Sequence, residues 1–244
     1  IVLGGPIDRA ESVPTYDELV RLSAELNNVE PGVSGVGLMA APGFWSTYTW
    51  EHISAQAGMM LFDENWEPIF NGDAGNKGLD IILELAKNAN EGHAGAGWPE
   101  NRAAWLGGQV ATNISWQDSG TQTTASIMAM NEANANGVAP GFKSVLENAE
   151  LQAVSQPAIV WGDSLHHAWC SPRLPGAFRI EQAIGNEINR AVVGQISGKE
   201  ALDNAAAAVK QIMTENGFYA GSDPVEYAAA EPGLYVGEGK DLPF

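Results

Sequence analysis

The chain has 244 residues, 45% of them hydrophobic, which is enough to bury a core in one large or two modest domains. Twelve basic against thirty acidic residues give a formal net charge of −18, which repels phosphate backbones and anionic membrane surfaces and argues against a nucleic-acid partner. No run approaches the roughly 18 apolar residues of a membrane span, and the single Cys170 cannot form an internal disulfide.

The first predicted helix begins after residue 14. Thr15 and Glu18 have the spacing of a capping box, in which each residue satisfies a backbone N–H of the first turn. One apolar stripe follows at helical spacing, made of Leu19, Leu22 and Leu26. A short strand is then predicted within residues 33–39.

An aromatic segment comes next. Four aromatic side chains fall within seven residues: Phe44, Trp45, Tyr48 and Trp50. A helix is predicted from here through Ile53 and Ala57, with Trp50 on the same buried face as those two residues. This places Trp50 in the core and turns Trp45 toward a ligand, while helical spacing leaves Tyr48 undecided.

Between residues 62 and 106 the pattern alternates. Residues 62–70 predict a hairpin-like excursion, and an amphipathic helix follows on an apolar stripe formed by Leu79, Ile82, Leu83 and Ala86. Residues 88–99 form a glycine-rich loop, and residues 100–106 predict a short helix.

The stretch 104–118 organises the chain. It predicts the end of a helix, a Gly-Gly turn, a strand of about six residues and a polar loop that carries Trp116 close to Asp118. A flat apolar ring beside a strong hydrogen-bond acceptor suits a sugar ring. The alternative is that Trp116 is a buried anchor and Asp118 a turn residue.

The last third is helical. One helix is predicted over residues 177–193, and a second starts at a capping box formed by Ser197 and Glu200 and ends at Gly217. Residues 218–244 are predicted to be an irregular acidic tail.

Two clusters raise the question of chemistry. One cluster has side chains that can bind a metal or act as a nucleophile: Asp163, His166, His167 and Cys170. A metal that prefers His and Cys ligands needs three or four well-placed ones, so we expect no metal site or cofactor here. We expect these residues to cap and pack a short helix. The carboxylates of Glu51, Asp63, Asp118 and Asp163 could supply the pair of a glycoside hydrolase. The sequence singles out no pair, and an inert interaction module is a third possibility.

Several segments in this order resemble a known family. They are residues 14–19, the aromatic helix ending at Gly58, Asn71–Asp73 before a helix, residues 105–111 with Trp116, and residues 196–202. The set resembles the family 1 extracellular solute-binding proteins of ABC importers, which include the maltose-type sugar binders. The resemblance implies an α/β, periplasmic-binding-protein-like II fold, with two lobes joined by hinge strands and the ligand in the cleft between them.

The resemblance also implies an organisation. Such proteins carry about a domain's worth of chain before the Thr15 helix, so we expect mainly the C-terminal lobe with hinge segments, in a mature sequence or a fragment without a signal peptide. Residues 1–121 are assigned to the core of that lobe and 122–150 to a remnant that recrosses to the first lobe. Residues 151–244 supply its remaining helices and tail.

The implied function is that of the substrate-binding component of an ABC importer, periplasmic or extracellular and membrane-associated. We expect a monomer that captures a small polar ligand, a sugar or polyol, and delivers it to a membrane permease. The hydrolase with an Asp/Glu pair remains the alternative. The residues expected to bind ligand are Trp45, Tyr48, Trp116, Gln117, Asp118, Arg173 and Phe178.

Overall fold

The structure, a computed structural model, describes residues 15–115 and 174–219. These stretches contain α1 (Tyr16–Leu26), β1 (Ser34–Gly37), α2 (Phe44–Gln56), α3 (Asp73–Ala86), α4 (Trp98–Leu106), β2 (Val110–Asn113), α5 (Ala177–Val192) and α6 (Gly198–Glu215), with a 3-10 turn at His93–Gly95. The chain divides into two compact units, Ile1–Ile114 with Ser171–Leu234 and Ser115–Cys170 with Tyr235–Phe244. Of the second unit only Ser115 is described.

A small parallel sheet lies at the centre of the first unit. β1 pairs with β2 in parallel, with Ser34 opposite Val110 and Val36 opposite Thr112. On its other side Val36 forms an isolated parallel bridge with Ala89. Parallel neighbours need crossover connections, which α2, α3 and α4 supply. The predicted α/β class is confirmed.

The helix ends follow the sequence signals. Thr15 Oγ1 accepts a hydrogen bond from the Glu18 N–H, and Ser197 Oγ from the Glu200 N–H, each at 3.2 Å. After the C-cap of α6, Gly217 has φ +82°, a value that glycine adopts without a steric cost. The predicted starts of α1 and α6 and the stop of α6 are therefore confirmed.

α2 lies between α3 and α5, and α5 also packs against α6. A Cβ at Gly185 on α5 would fall 1.7 Å from the carbonyl oxygen of Gly43, so the two helices touch backbone to backbone. Thr47 Oγ1 on α2 donates to the Glu181 carbonyl on α5 at 2.6 Å. Since residues 43 and 47 meet residues 185 and 181 in reverse order, the helices run antiparallel.

Three boundaries differ from the prediction. α4 begins at Trp98 and not at residue 100, because the Gly97 N–H donates to Glu100 Oε2 at 3.0 Å and Pro99 fits the first turn. β2 has four residues where about six were predicted. Ala57 is the exposed C-cap of α2, so it does not share the buried face of Trp50 and Ile53.

Candidate functional site

The chain leaving β1 forms a rigid base for the start of α2. Residues 38–40 are buried, and the carbonyls of Met39 and Ala40 accept hydrogen bonds from hydroxyl groups of the helix. Ser46 Oγ donates to the Ala40 carbonyl and Thr49 Oγ1 to the Met39 carbonyl, both at 2.8 Å. Asn189 on α5 donates to the same Ala40 carbonyl at 2.7 Å. Backbone at the carboxyl end of a parallel strand, where open α/β sheets bind ligands, is thus fixed in place.

One side of α2 carries aromatic rings. Phe44 and Tyr48 stack with centroids 5.8 Å apart, and Tyr48 and His52 with centroids 6.4 Å apart, because residues four apart lie on one helix face. Trp45 meets Phe44 edge to face at 5.0 Å. We call these four side chains the aromatic face.

The opposite side of α2 is core. Trp50 is 0% exposed, and its Nε1 donates to the Gly75 carbonyl at 3.0 Å. Ile53 is 1% exposed. The assignment of Trp50 to the core is confirmed. α2 thus carries aromatic rings on both sides, with Trp50 in the core and the aromatic face on the other side.

The Trp45 ring is packed and half-buried. A Cβ at Gly97 would lie 2.7 Å from the Cε2 and Nε1 atoms of the indole, so the ring rests on the backbone that starts α4. The Phe44 ring also contacts the indole, so the indole has little rotational freedom. A ring held this way loses little entropy when it takes up a ligand.

The end of β2 approaches from another direction. The Nδ2 group of Asn101, on α4, donates to Asn113 Oδ1 at 2.8 Å and to the Ile114 carbonyl at 3.0 Å. The next described residue is Ser115, which leads to residues 116–118. The carboxyl ends of both strands are therefore fixed by side-chain hydrogen bonds from the helices around them.

Phe178 lies at the start of α5 and is 69% exposed. Its helix is joined to α2 through Thr47 and Glu181, as described above. Burial raises the pKa of the Glu181 carboxyl above its ordinary value. A large apolar ring left in solvent is a candidate contact for a ligand or a partner.

The outcome for the predicted site is therefore partial. Trp45 and Tyr48 belong to the aromatic face of α2, and Phe178 lies on α5, which packs against α2 through Gly43 and Thr47. Trp116, Gln117, Asp118 and Arg173 lie outside the described residues. The assignment of all seven residues to ligand binding stays a prediction.

The sequence analysis overlooked two groups. Phe44 and His52 complete the aromatic face, and their spacing of four on either side of Tyr48 was the available signal. Asn101 carried no comparable signal, because its partners are brought to it by the pairing of β1 with β2.

The candidates for other chemistry divide the same way. Asp63 accepts from the N–H groups of Asn65 and Glu67 at 2.9 and 2.8 Å, which makes it a turn residue. Glu51 is 5% exposed on the buried side of α2. Within residues 15–115 and 174–219 no group of three metal-ligating side chains is found. Asp118, Asp163, His166, His167 and Cys170 lie outside those ranges.

The fold is shared with solved solute-binding proteins. An ABC transporter solute-binding protein from Agrobacterium radiobacter K84, in complex with ribitol, matches with a TM-score of 0.70 at 18% identity, over 82% of this chain and 65% of that one. One from Agrobacterium vitis S4, with bound D-mannitol, gives 0.67 at 18% identity over 84% and 67%. Maltose-bound MalE3 of T. maritima gives 0.71 at 15% identity over 83% and 66%. The fold of this chain is therefore the periplasmic-binding-protein-like fold.

The sequence matches a known protein family. Residues 6–164 match the bacterial extracellular solute-binding protein family, which is more than half of the chain. The chain belongs to this family, and the resemblance drawn from the motifs is confirmed. A curated relative in Sinorhizobium fredii, named a probable amino-acid ABC transporter periplasmic-binding protein (y4oP), is 29% identical over 111 residues, 45% of this chain and 25% of the relative.

The chain matches only part of the length of these proteins. The chain spans about two thirds of the length of the solved structures and a quarter of the length of y4oP. The family is one of extracellular or periplasmic solute-binding transport proteins and not of enzymes. In the described part of the chain, none of the helices has the length and apolar character needed to cross a membrane.

Proposed function

We propose that this protein is the substrate-binding component of an ABC importer and that its ligand is a neutral polyhydroxy compound, a sugar or polyol. The observation that carries the proposal is the aromatic face of α2, which stands beside the fixed carboxyl end of β1. Ring faces pack against the C–H groups of a sugar or polyol. Polar groups at strand ends can then bind its hydroxyls.

Charge and family both support a neutral ligand. The formal net charge of −18 opposes the capture of an anion. The solved relatives reported above hold ribitol, D-mannitol and maltose. The name of y4oP makes an amino acid the competing ligand class, and this class belongs in the same screen.

The rest of the proposed site follows from the family resemblance. We assign Trp116, Gln117, Asp118 and Arg173 to the ligand together with Trp45, Tyr48 and Phe178. In the complete protein we expect the ligand to shift an equilibrium between open and closed lobes, and a membrane permease to recognise the closed form. A fall in the radius of gyration on ligand addition, measured by small-angle scattering, tests the closure.

The direct test is a thermal-shift screen of the complete protein with both lobes, followed by calorimetry. The panel contains ribitol, D-mannitol and maltose, with glycine and glutamate as the amino-acid arm. A ligand that binds only the native state raises the free energy of unfolding by about 2.7 kcal/mol at a concentration of 100 times Kd. Tm rises as a result. Saturable binding of a polyol or sugar supports the proposal.

Three results would contradict it. Binding of an amino acid with no response to the polyols and maltose would move the protein to the other ligand class. Release of reducing ends from maltose would establish the hydrolase alternative. No saturable binding across the panel would leave the polyhydroxy assignment without support and overturn it.

A further inference from the structure

Arg102 lies on α4 over the ring of Trp98. Its Cζ atom is 5.2 Å from the centroid of the indole, within the range of a cation–π contact. The residue before Trp98 is Gly97, whose backbone supports the indole of Trp45. Neighbouring residues at the start of α4 therefore support two different groups, a ring of the aromatic face and a guanidinium.

Arg102 is paired differently from the other arginines that the structure describes. Arg21, Arg179 and Arg190 each form an ion pair with a glutamate, at 2.6, 2.6 and 2.7 Å. Arg102 forms no ion pair with any residue in 15–115 or 174–219. The side chains one turn before and one turn after it on α4 are apolar. Since the chain has 30 acidic residues against 12 basic ones, this arrangement does not come from a shortage of carboxylates.

The guanidinium also has a buried donor. Nε of Arg102 is buried, and none of the described residues accepts a hydrogen bond from it. A buried donor without an acceptor opposes folding, and more strongly when the group is charged. A methionine could cover the same indole without that cost. Stability therefore does not account for an arginine here, whereas a ligand site uses fixed donors of this kind.

The shape of a guanidinium selects its acceptor. Its N–H groups lie in one plane and can bind two neighbouring oxygen atoms at once. Adjacent hydroxyls of a polyol or sugar offer such a pair, and so does a carboxylate. The formal net charge of −18 opposes the approach of an anion, which favours the hydroxyl pair. The Trp45 ring beside Gly97 can pack against the C–H groups of the same ligand.

We propose that Arg102 is a ligand-binding residue whose guanidinium, held over Trp98, donates to two adjacent hydroxyl oxygens of the ligand. This role rests on the proposed function, because it takes a polyol or sugar as the ligand. It adds a hydrogen-bonding group to a site whose other described members, Trp45, Tyr48 and Phe178, are aromatic. Arg102 then fixes the orientation of a ligand that the rings hold by its C–H groups.

The experiment compares three variants of the complete protein with both lobes. Arg102→Met keeps the length of the side chain and removes its donors, and Arg102→Lys keeps the charge and removes the planar fork. Arg21→Met is the matched control, since Arg21 is an exposed arginine on α1 that pairs with Glu18 and Glu25. Calorimetry with ribitol, D-mannitol, maltose and glutamate gives Kd. Thermal unfolding without ligand gives Tm.

We expect Kd for the polyol or sugar that the wild type binds to rise about 30-fold in Arg102→Met and about tenfold in Arg102→Lys. Arg21→Met should keep the wild-type Kd. Without ligand, Arg102→Met should have a Tm no lower than that of the wild type, because it removes an unpaired buried donor and still contacts the Trp98 ring. A role in packing alone predicts the reverse, a lower Tm with an unchanged Kd.

The outcomes separate this role from the proposed function. A polyol or sugar that binds the wild type and both Arg102 variants equally would overturn the role and leave the proposed function standing. Binding of glutamate alone, lost in Arg102→Met, would overturn the proposed function and the hydroxyl pair, and would assign Arg102 to a carboxylate. A wild type that binds none of the four probes would overturn both. If Arg102→Met does not fold, Arg102→Lys decides.

Discussion

α2 and α6 are helices of one compact unit with opposite designs. α6 has 18 residues, starts at a Ser197 cap and buries one apolar face. α2 has 13 residues, starts after Gly43 at φ +75°, and buries hydroxyls together with Trp50 on one side. Its other side carries the aromatic face. α6 stabilises the unit, whereas α2 both stabilises it and presents rings at the end of β1.

The difference shows how a binding element is recognised. A helix that only supports a core spends its apolar residues on one side, as α6 does. On the buried side of α2, Ser46 and Thr49 donate to the carbonyls of Ala40 and Met39 beyond β1, and Trp50 donates to Gly75. Ser54 Oγ is also buried there and has no hydrogen-bond partner among the described residues. The rings on its second side contact one another, and Trp45 also packs on the backbone at Gly97.

The largest expected effect is on the buried side of α2. Trp50→Ala removes a fully buried ring and its hydrogen bond to Gly75, and should lower the free energy of unfolding by about 4 kcal/mol. Chemical denaturation of the full chain measures this. A loss below about 1 kcal/mol would mean that the two sides of α2 do not differ as described.

The next effect tests the contact that holds α2. Gly185→Ala puts a Cβ 1.7 Å from the Gly43 carbonyl oxygen, so α2 and α5 must separate, at about 3 kcal/mol. Gly95→Ala is the matched control, because a Cβ there meets nothing within 4 Å. Equal denaturation midpoints for the two variants would rule out the close approach of the helices.

A smaller effect is expected at the start of α6. Ser197→Ala removes the acceptor for the Glu200 N–H and should cost about 1 kcal/mol. Ser197→Asp keeps an acceptor and should be close to wild type in the same unfolding measurement. If the aspartate variant loses as much as the alanine variant, the cap is not what stabilises this end of α6.

The smallest effect concerns pH. Burial raises the pKa of Glu181, so the folded state binds this proton more tightly than the unfolded chain does. This group therefore favours folding as pH falls through the raised pKa and opposes it as pH rises. Glu181→Gln should be more stable than wild type at about pH 7, and the gap should close toward about pH 4. A gap that widens in acid would show the opposite shift.

The sequence predicted what is local. The caps at Thr15 and Ser197 and the stop at Gly217 depend on residues within one turn, and each was found where expected. The early start of α4 was missed because the glycine before Trp98 lacks a capping side chain, so the backbone N–H of Gly97 and Glu100 make the contact instead.

What the sequence could not predict depends on distant pairing. Asn101 meets the end of β2 only after α4 packs beside the sheet, and Gly185 meets Gly43 only when α5 docks on α2. The exposure of Ala57 has a nearer cause, since α2 stops one residue before it. Of the candidate site, Trp45 and Tyr48 could be selected because aromatic density is visible in the sequence, whereas ring packing against Gly97 is not.

We propose that the two sides of α2 have separate roles, one in ligand binding and the other in stability. The most direct measurement is Kd for ribitol, D-mannitol and maltose, together with the free energy of unfolding, in Trp45→Ala beside Trp50→Phe. We expect a Kd about 30-fold higher for Trp45→Ala, equivalent to about 2 kcal/mol, with a smaller loss of unfolding free energy than Trp50→Ala shows. Trp50→Phe should keep the wild-type Kd while losing stability. Unchanged binding in Trp45→Ala, together with a stability loss as large as that of Trp50→Ala, would show that the aromatic face does not bind the ligand.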